Sequence, residues 1–153
     1  MQIITASRAF AGAPPRSAAV LCVKSGAGRT SLQMTEWFTW LNIRRNPMIS
    51  FSLPRSNEIG KSLKEGDSFV LAIPRLEEAK RYLKTVCADG DAEEQDGAPK
   101  TVLEEGMDIR TPAGSEVLLC CTLAGAYNYP FKKVRIFNCN LEEARGNTES
   151  LLD

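Results

Sequence analysis

The sequence Met48-Ile49-Ser50-Phe51-Ser52-Leu53, which follows a break at Asn46-Pro47, predicts a β-strand. Two other apolar runs precede it, Ser17–Val23 and Ser31–Leu41, and a glycine-containing turn at 25–29 separates them. Three strands with such short connections within about forty residues favour an antiparallel sheet, because parallel strands need long crossovers.

Later parts of the chain carry further strand signals and two helix signals. The strands are predicted from three apolar runs: Phe69–Ile73, Glu116–Tyr127 and Lys133–Leu141. Helical spacing predicts a short helix after Pro54, capped by Ser56 or Asn57, and an amphipathic helix over 75–87. These elements do not alternate regularly, so a barrel fits better than repeated β-α units.

The predicted architecture is a mainly β, antiparallel barrel of six to seven strands with two or so peripheral helices. Residues 1–153 are expected to form a single domain, since folding a chain of this length buries roughly 70% of its surface. Residues 1–13 and 142–153 are expected at its periphery. Residues 1–16 carry little periodicity, with Pro14-Pro15 marking an extended entry, and the tail from Glu142 is expected to be frayed or helical. The acidic stretch 88–100 is expected to be a surface loop.

The chain contains no histidine. This excludes Ser-His-Asp and Cys-His nucleophile pairs, histidine acid–base catalysis and His-ligated metal sites. Any chemistry is therefore expected to come from a bound cofactor. Lys+Arg and Asp+Glu both number 19, and this balance argues against a nucleic-acid partner.

The cysteine pattern, together with the absence of a signal sequence or a membrane-length apolar segment, indicates the cellular compartment. No cysteine forms a CxxC pair, and three of the five lie in apolar runs, so buried reduced thiols are expected. The five are Cys22, Cys87, Cys120, Cys121 and Cys139. No secretory signal is visible and no apolar run approaches the ~20 residues of a membrane span, so we expect a cytoplasmic protein without a membrane partner.

Positive charge is concentrated in residues 1–57, which contain seven basic side chains and only one acid, Glu36. Residues 89–105 are acidic. The basic half can hold an anion such as phosphate, or it is simply a solvated surface, and both interpretations remain open. Gly26–Thr30 lacks the spacing of a phosphate loop and is predicted to be a hairpin turn.

The segment Leu53-Pro54-Arg55-Ser56-Asn57 carries the clearest binding signal, because it lies after a strand and before a helix. The planar Arg55 cation can grip a phosphate with two bonds, and Ser56 adds a hydroxyl donor. The alternative is a helix cap with an incidental surface arginine.

Three stretches together resemble the flavin reductase-like family. The residues from Pro15-Arg16 to Val23 are similar to the opening "PRPVALVTT" of that family, and Gly28–Phe38 is similar to its "GRxNxMTASWF" segment. Asn46–Leu53 is similar to its "DPPLVAVSI" strand, and Pro54–Asn57 to its "NRSS" turn. The resemblance covers about residues 14–74 in register and continues loosely to about 140.

The resemblance implies an FMN-binding split barrel that forms a homodimer. It places Gln33, Met34, Thr35 and Glu36 beside the isoalloxazine ring and assigns the flavin phosphate to the Leu53–Asn57 segment. The implied activity is electron transfer from NADH or NADPH, through FMN, to free flavin or another redox acceptor. FAD is the alternative cofactor. A flavin also suits a chain without histidine, because the ring itself accepts hydride.

Two departures from the family pattern leave an alternative open. Many members carry a histidine near the nicotinamide side of the pocket, where this chain has Tyr127–Lys133. Glu36 stands where the family has a small residue, and either borders the flavin or faces solvent. The alternative is therefore a non-catalytic FMN-binding carrier or electron-transfer protein. Several aromatic residues are candidates for stacking near the ring or for the core: Trp37, Trp40, Phe51, Tyr127 and Tyr129.

Overall fold

A computed structural model of the chain describes residues 1–12, 19–25, 29–35, 37–74, 100–130 and 132–146. These residues form ten strands and two helices. The strands are β1 (Gln2–Ile4), β2 (Val20–Ser25), β3 (Arg29–Met34), β4 (Trp37–Asn42), β5 (Met48–Pro54), β6 (Ser68–Ile73), β7 (Thr101–Val102), β8 (Thr111–Pro112), β9 (Val117–Asn128) and β10 (Val134–Gly146). The helices are α1 (Ala6–Gly12) and α2 (Glu58–Ser62).

Eight of these strands form one antiparallel sheet. Its order is β3-β2-β6-β9-β10-β5-β4, and β1 pairs with the far end of β10. The two short strands β7 and β8 pair with each other. The fold is thus mainly β with short helices, as the sequence predicted.

The two edges of the sheet order, β3 and β4, are neighbours in sequence. The two residues Thr35 and Glu36 separate Met34, the last residue of β3, from Trp37, the first of β4. Three Cα steps of 3.8 Å span at most about 11 Å, so the two edges must approach each other and the sheet must curl into a barrel. The prediction of one continuous strand over Ser31–Leu41 was wrong, because the chain changes edges at this point.

Strand alternation divides the residues between a closed interior and an outer face. In the β4-β5-β10-β9 register, Phe38, Phe51, Phe137 and Ala126 share one row, and the three phenylalanines are fully buried in the main core. Phe51 stacks on Phe137 with ring centroids 5.0 Å apart. The adjacent row faces outward: Trp37, Ser52, Ile136 and Tyr127.

A second apolar cluster lies on the other side of β2, β3, β6 and β9. It contains side chains from those strands together with Ile109 and Met107 from the segment before β8. The segment 100–116 therefore covers the outer face of this half of the sheet. The outer row is exposed at its two ends, where Trp37 on β4 is 37% exposed and Tyr127 on β9 is 49% exposed, while Ser52 and Ile136 between them are buried.

The helix α2 closes one end of the barrel. Asn57 caps it, because its side-chain oxygen accepts a hydrogen bond from the Gly60 N–H at 2.9 Å, which confirms one of the two predicted caps. A Cβ on Gly60 would stand 3.2 Å from Phe137 and 3.3 Å from Leu53, so glycine lets the helix sit directly on the core.

Both chain ends differ from their predicted structure. No strand or helix was predicted in 1–16 because this segment carries little periodicity, but its described part contains β1 and α1, and Ile4 packs against the core. The polar tail was predicted to be frayed or helical from Glu142, but β10 continues to Gly146 because β1 and β9 pair with it. The predicted helix over 75–87, the loop 88–99, the turn 26–28 and the tail 147–153 lie outside the described residues.

Candidate functional site

The predicted ring-binding segment lies at the junction between β3 and β4. Gln33, Met34 and Thr35 are each 5% exposed. Thr35 is held to the start of β2, because its N–H and its hydroxyl both donate to the Ala19 carbonyl oxygen, at 2.9 and 3.2 Å. Glu36 lies outside the described residues, so its orientation stays a prediction.

The amide of Gln33 is only partly satisfied. Its nitrogen donates to the Met34 carbonyl oxygen at 3.2 Å, while its Oε1 is buried and has no hydrogen-bond partner. A buried acceptor without a donor is uncommon in folded proteins and often marks a place that a ligand or water completes. This acceptor lies within the segment that the sequence assigned to a flavin ring.

The predicted phosphate segment divides into a buried and an exposed part. Leu53 is fully buried in the core and Asn57 is 5% exposed, with its oxygen committed to the Gly60 N–H. Arg55 and Ser56 are exposed, and Pro54 is half-buried between them and the core. The side chains that are open to an anion are therefore those of Arg55 and Ser56.

The sheet brings the ring segment and the phosphate segment together. Trp37, two residues after Thr35, lies opposite Ser52 in the β4-β5 ladder, and Ser52 is three residues before Arg55. Neighbouring strands lie about 4.8 Å apart, so one ligand of flavin size can reach both segments. Two stretches that are twenty residues apart in sequence thus form one candidate site.

The structure adds a third stretch to this site, the start of β10. The Arg55 N–H donates to the Lys133 carbonyl oxygen at 3.0 Å, which extends the β5-β10 ladder one step beyond its last pair, Pro54 and Val134. Leu53 is the ladder partner of Arg135. Alternation then puts Arg55, Lys133 and Arg135 on one side of the two strands, at the end of the barrel.

No acid neutralises these cations within the described part of the chain. Arg55, Lys132, Lys133 and Arg135 form no ion pair there, whereas Lys24, Lys61 and Arg145 each have a carboxylate within 4 Å. The nearby acid Glu58 is paired with Lys61 at 3.5 Å. The end of the barrel is therefore positively charged and suited to an anion.

Sequence analysis missed Lys133 and Arg135. Their positions follow a hairpin turn about eighty residues after Arg55, and nothing in their local sequence distinguishes them from surface cations. Only the β5-β10 register reveals that they accompany Arg55. The sequence predicted a strand before Arg55 and another that begins at Lys133, but it did not predict that these two strands pair.

The described residues also line a separate cavity of about 480 Å³ beyond the far end of α2. Its walls come from the β2-β3 hairpin, α2 and the start of β6: Val23, Lys24, Ser25, Ser31, Ile59, Ser62, Leu63, Asp67 and Ser68. No residue predicted to bind flavin lines it, so this cavity is distinct from the candidate site.

The cysteines that the structure describes are free thiols. Cys22, Cys121 and Cys139 are buried and Cys120 is half-buried. Burial raises the pKa of Cys120 to about 11 and raises that of Cys22 and Cys121 as well. The thiols of Cys22, Cys120 and Cys121 are therefore protonated at neutral pH and are not activated nucleophiles. No group of metal-binding side chains occurs among the described residues, and no helix there is long and apolar enough to span a membrane.

The chain is similar in fold to solved structures of flavin proteins, among them the three that follow. An FMN-binding domain of a flavin reductase-like enzyme from Shewanella baltica has a TM-score of 0.73 and 15% identity, covering 97% of this chain and 78% of that one. The NADH:FAD oxidoreductase of Streptomyces globisporus gives 0.71 and 17%, covering 92% and 80%. Flavoredoxin from Methanosarcina acetivorans gives 0.68 and 17%, covering 90% and 72%.

Sequence comparisons gave no such match: no protein-family model and no curated protein matches the chain. At 15 to 17% identity, the similarity to these three solved structures establishes the fold. The chain therefore has the split-barrel fold of the flavin reductase-like FMN-binding proteins, as the sequence resemblance implied.

Proposed function

We propose that this protein binds FMN and acts as a flavin-dependent oxidoreductase. The observation that carries the proposal is the backbone hydrogen bond from the Arg55 N–H to the Lys133 carbonyl oxygen, which joins the Arg55-Ser56 turn to the start of β10. The exposed cations there have no ion-pair partner among the described residues, and the partly satisfied amide of Gln33 lies four residues before Trp37, which pairs with β5. These are the two features that a flavin with a terminal phosphate requires.

The residues present fit such a ligand at both ends. At the phosphate end, Arg55 offers a planar pair of donors and Ser56 a hydroxyl. At the ring end, the Gln33 Oε1 acceptor complements the N–H group at position 3 of the isoalloxazine ring. Thr35 fixes the turn between β3 and β4 through its two hydrogen bonds to Ala19, and so preorganises the backbone beside the ring.

Bound flavin would supply the redox chemistry, since the isoalloxazine accepts hydride without a protein acid or base. The proposed electron donor is NADH or NADPH, and the acceptor is free flavin or another redox partner. The fold neighbours support this assignment, since one is described as an NADH:FAD oxidoreductase. The chain's own residues would bind, orient and partly shield the ring.

A non-catalytic flavin carrier is the second candidate. The sequence of Tyr127–Lys133 favours this candidate. Many members of the flavin reductase-like family have a histidine at this place, and this chain has none. The two candidates share flavin binding and differ in whether a reduced nicotinamide delivers electrons.

We also propose a homodimer. β4 is an edge strand of the sheet, and Trp37 and Leu41 on it are 37% and 52% exposed. A second copy of the chain would cover this apolar edge, which would otherwise be open to uncontrolled strand pairing.

Titration of the purified protein with FMN, followed by quenching of flavin fluorescence, tests the binding. Arg55→Ala should weaken FMN binding by about 1.5–3 kcal/mol, because a hydrogen bond to a charged phosphate is lost. Arg44→Ala is the matched control, since Arg44 is an exposed arginine at the opposite end of β5. The absence of FMN binding at micromolar concentrations would refute the proposal.

Anaerobic addition of NADH or NADPH to the FMN-loaded protein separates the two candidates. Bleaching of the visible absorbance of the oxidised flavin is expected for the oxidoreductase, because hydride transfer reduces the ring. An FMN-loaded protein that neither nucleotide reduces would establish the carrier alternative.

A further inference from the structure

We propose that Arg135, assisted by Lys133, recognises a dianionic phosphate monoester and thereby makes the site selective for FMN over FAD and riboflavin. The proposal rests on the flavin site proposed above and names two residues that the sequence resemblance did not assign. Its basis is a partly buried cation that the described residues leave without an anionic partner.

The guanidinium of Arg135 is held in place by neutral groups. Its Nη1 donates to the Asn128 side-chain oxygen at 3.2 Å, and its central carbon lies 5.7 Å from the centroid of the Phe137 ring. Its Nε is buried and has no hydrogen-bond partner. One hydrogen bond and one aromatic ring thus orient Arg135, and its remaining N–H donors are available to bind an anion.

The strand register places Arg135 at the same end of the barrel as Arg55. Arg135 pairs with Leu53 in the β5-β10 ladder, and Lys133 accepts the Arg55 N–H one step further along. Phe137, beneath the guanidinium, also contacts α2 at Gly60. Arg135 therefore lies on the strand that pairs with Leu53, two residues before the turn, and its guanidinium lies over a ring that reaches α2.

The charges around Arg135 leave it unneutralised. On α2, Glu58 is paired with Lys61, and beyond α2 the Asp67 carboxylate accepts the Lys64 N–H at 2.9 Å. The described part of β9 that faces Arg135 supplies the neutral Asn128. A partly buried cation without a counter-ion is unfavourable, so an anion bound at this position would gain more than one at an ordinary surface arginine.

Three cations at one site favour a terminal phosphate. The phosphate of FMN is a monoester that carries about two negative charges at neutral pH and three terminal oxygens for bidentate contacts. In FAD the corresponding phosphate is part of a diphosphate, with one charge and fewer terminal oxygens, and riboflavin has none. The cation set therefore ranks the ligands in the order FMN, FAD, riboflavin.

The test compares the dissociation constants of the three flavins for the full chain. We expect FMN to bind about a hundredfold more tightly than riboflavin, the effect of two charge-assisted hydrogen bonds, with FAD between them. In Arg135→Gln the FMN-to-riboflavin ratio should fall about tenfold, and Arg135→Lys should lie between the two. Arg44→Gln is the control and should leave the ratio unchanged.

The ratio distinguishes recognition from a structural role, because loss of folded protein changes the binding of FMN and riboflavin equally. A ratio that Arg135→Gln leaves within twofold of the starting value would overturn the proposal. FAD binding as tight as FMN binding would overturn it too.

Inorganic phosphate provides a readout that needs no flavin. Phosphate at pH 7.5 should raise the melting temperature of the unmodified protein more than chloride at equal ionic strength, because it binds the folded state alone. Arg135→Gln should abolish the difference. If no flavin binds but phosphate stabilises in this way, the proposed function fails and the anion site stands; if phosphate has no effect, the anion site is refuted.

Discussion

Replacing Asn57 with alanine tests whether this residue acts as a helix cap, as its geometry indicates, rather than as a phosphate ligand. Its side-chain oxygen accepts the Gly60 N–H at 2.9 Å, and both residues are buried. Alanine would leave that N–H without a partner. Loss of a cap costs about 0.5–2 kcal/mol, and an unsatisfied buried donor costs about 1–3 kcal/mol. We therefore expect a loss of about 1–3 kcal/mol in the free energy of unfolding.

Equilibrium unfolding in urea, followed by tryptophan fluorescence, measures this loss. With a slope of about 2 kcal/mol per molar, the midpoint should fall by about 0.5–1.5 M. Asn57→Ser keeps a capping oxygen and should recover most of the stability. Ser62→Ala is the control, since Ser62 is exposed and its hydroxyl donates to Ile59 at the other end of α2.

The reasoning would be refuted if Asn57→Ala shifted the midpoint no more than Ser62→Ala does. A second readout separates the two roles of Asn57. If it only caps α2, Asn57→Ser should retain FMN affinity along with stability. If Asn57→Ser is stable but binds FMN tenfold more weakly, the residue contacts the phosphate directly, as the sequence resemblance implied.

Two further predictions concern the thiols and the sheet edge. Burial raises the pKa of Cys22 and Cys121, so these thiols stay protonated in the folded chain while those of the unfolded chain ionise above pH 9. Stability should therefore be constant below pH 8 and fall above pH 9 by about 1.4 kcal/mol per pH unit for each thiol, and urea midpoints unchanged up to pH 10.5 would contradict this. For the proposed homodimer, Leu41→Glu on edge strand β4 should shift sedimentation towards the monomer, whereas Leu103→Glu, at a leucine of equal exposure, should not. A wild-type chain that sediments as a monomer of about 17 kDa at all concentrations would refute the dimer.

The sequence by itself predicted the strands whose signals are local. The runs at Met48–Leu53 and Phe69–Ile73 became β5 and β6 with shifts of one residue, because short apolar runs bounded by proline, glycine or asparagine define strands without outside help. Asn57 was recognised as a possible cap for the same reason. Capping depends on contacts within four residues of the chain.

The run Ser31–Leu41 shows a feature of the fold that local sequence patterns could not predict. It was predicted to be one strand despite the acid Glu36 within it, yet it forms β3 and β4 at opposite edges of the sheet order. The change of edge at Thr35 and Glu36 depends on where β2 and β5 lie, and no local pattern encodes that. The continuation of β10 to Gly146 likewise depends on pairing with β1 and β9.

The candidate site likewise has a part that the sequence predicted and a part that only the tertiary structure determined. The sequence, through the family resemblance, predicted Gln33–Glu36 and Leu53–Asn57 as two separate segments and supplied the reason to expect a cofactor, the absence of histidine. The tertiary structure decided that Trp37 lies opposite Ser52, which joins the two segments, and that Arg55 is hydrogen-bonded to Lys133, which adds Arg135. Strand register determines both contacts. Register depends on the packing of the whole barrel, because it fixes which side of each strand faces the core.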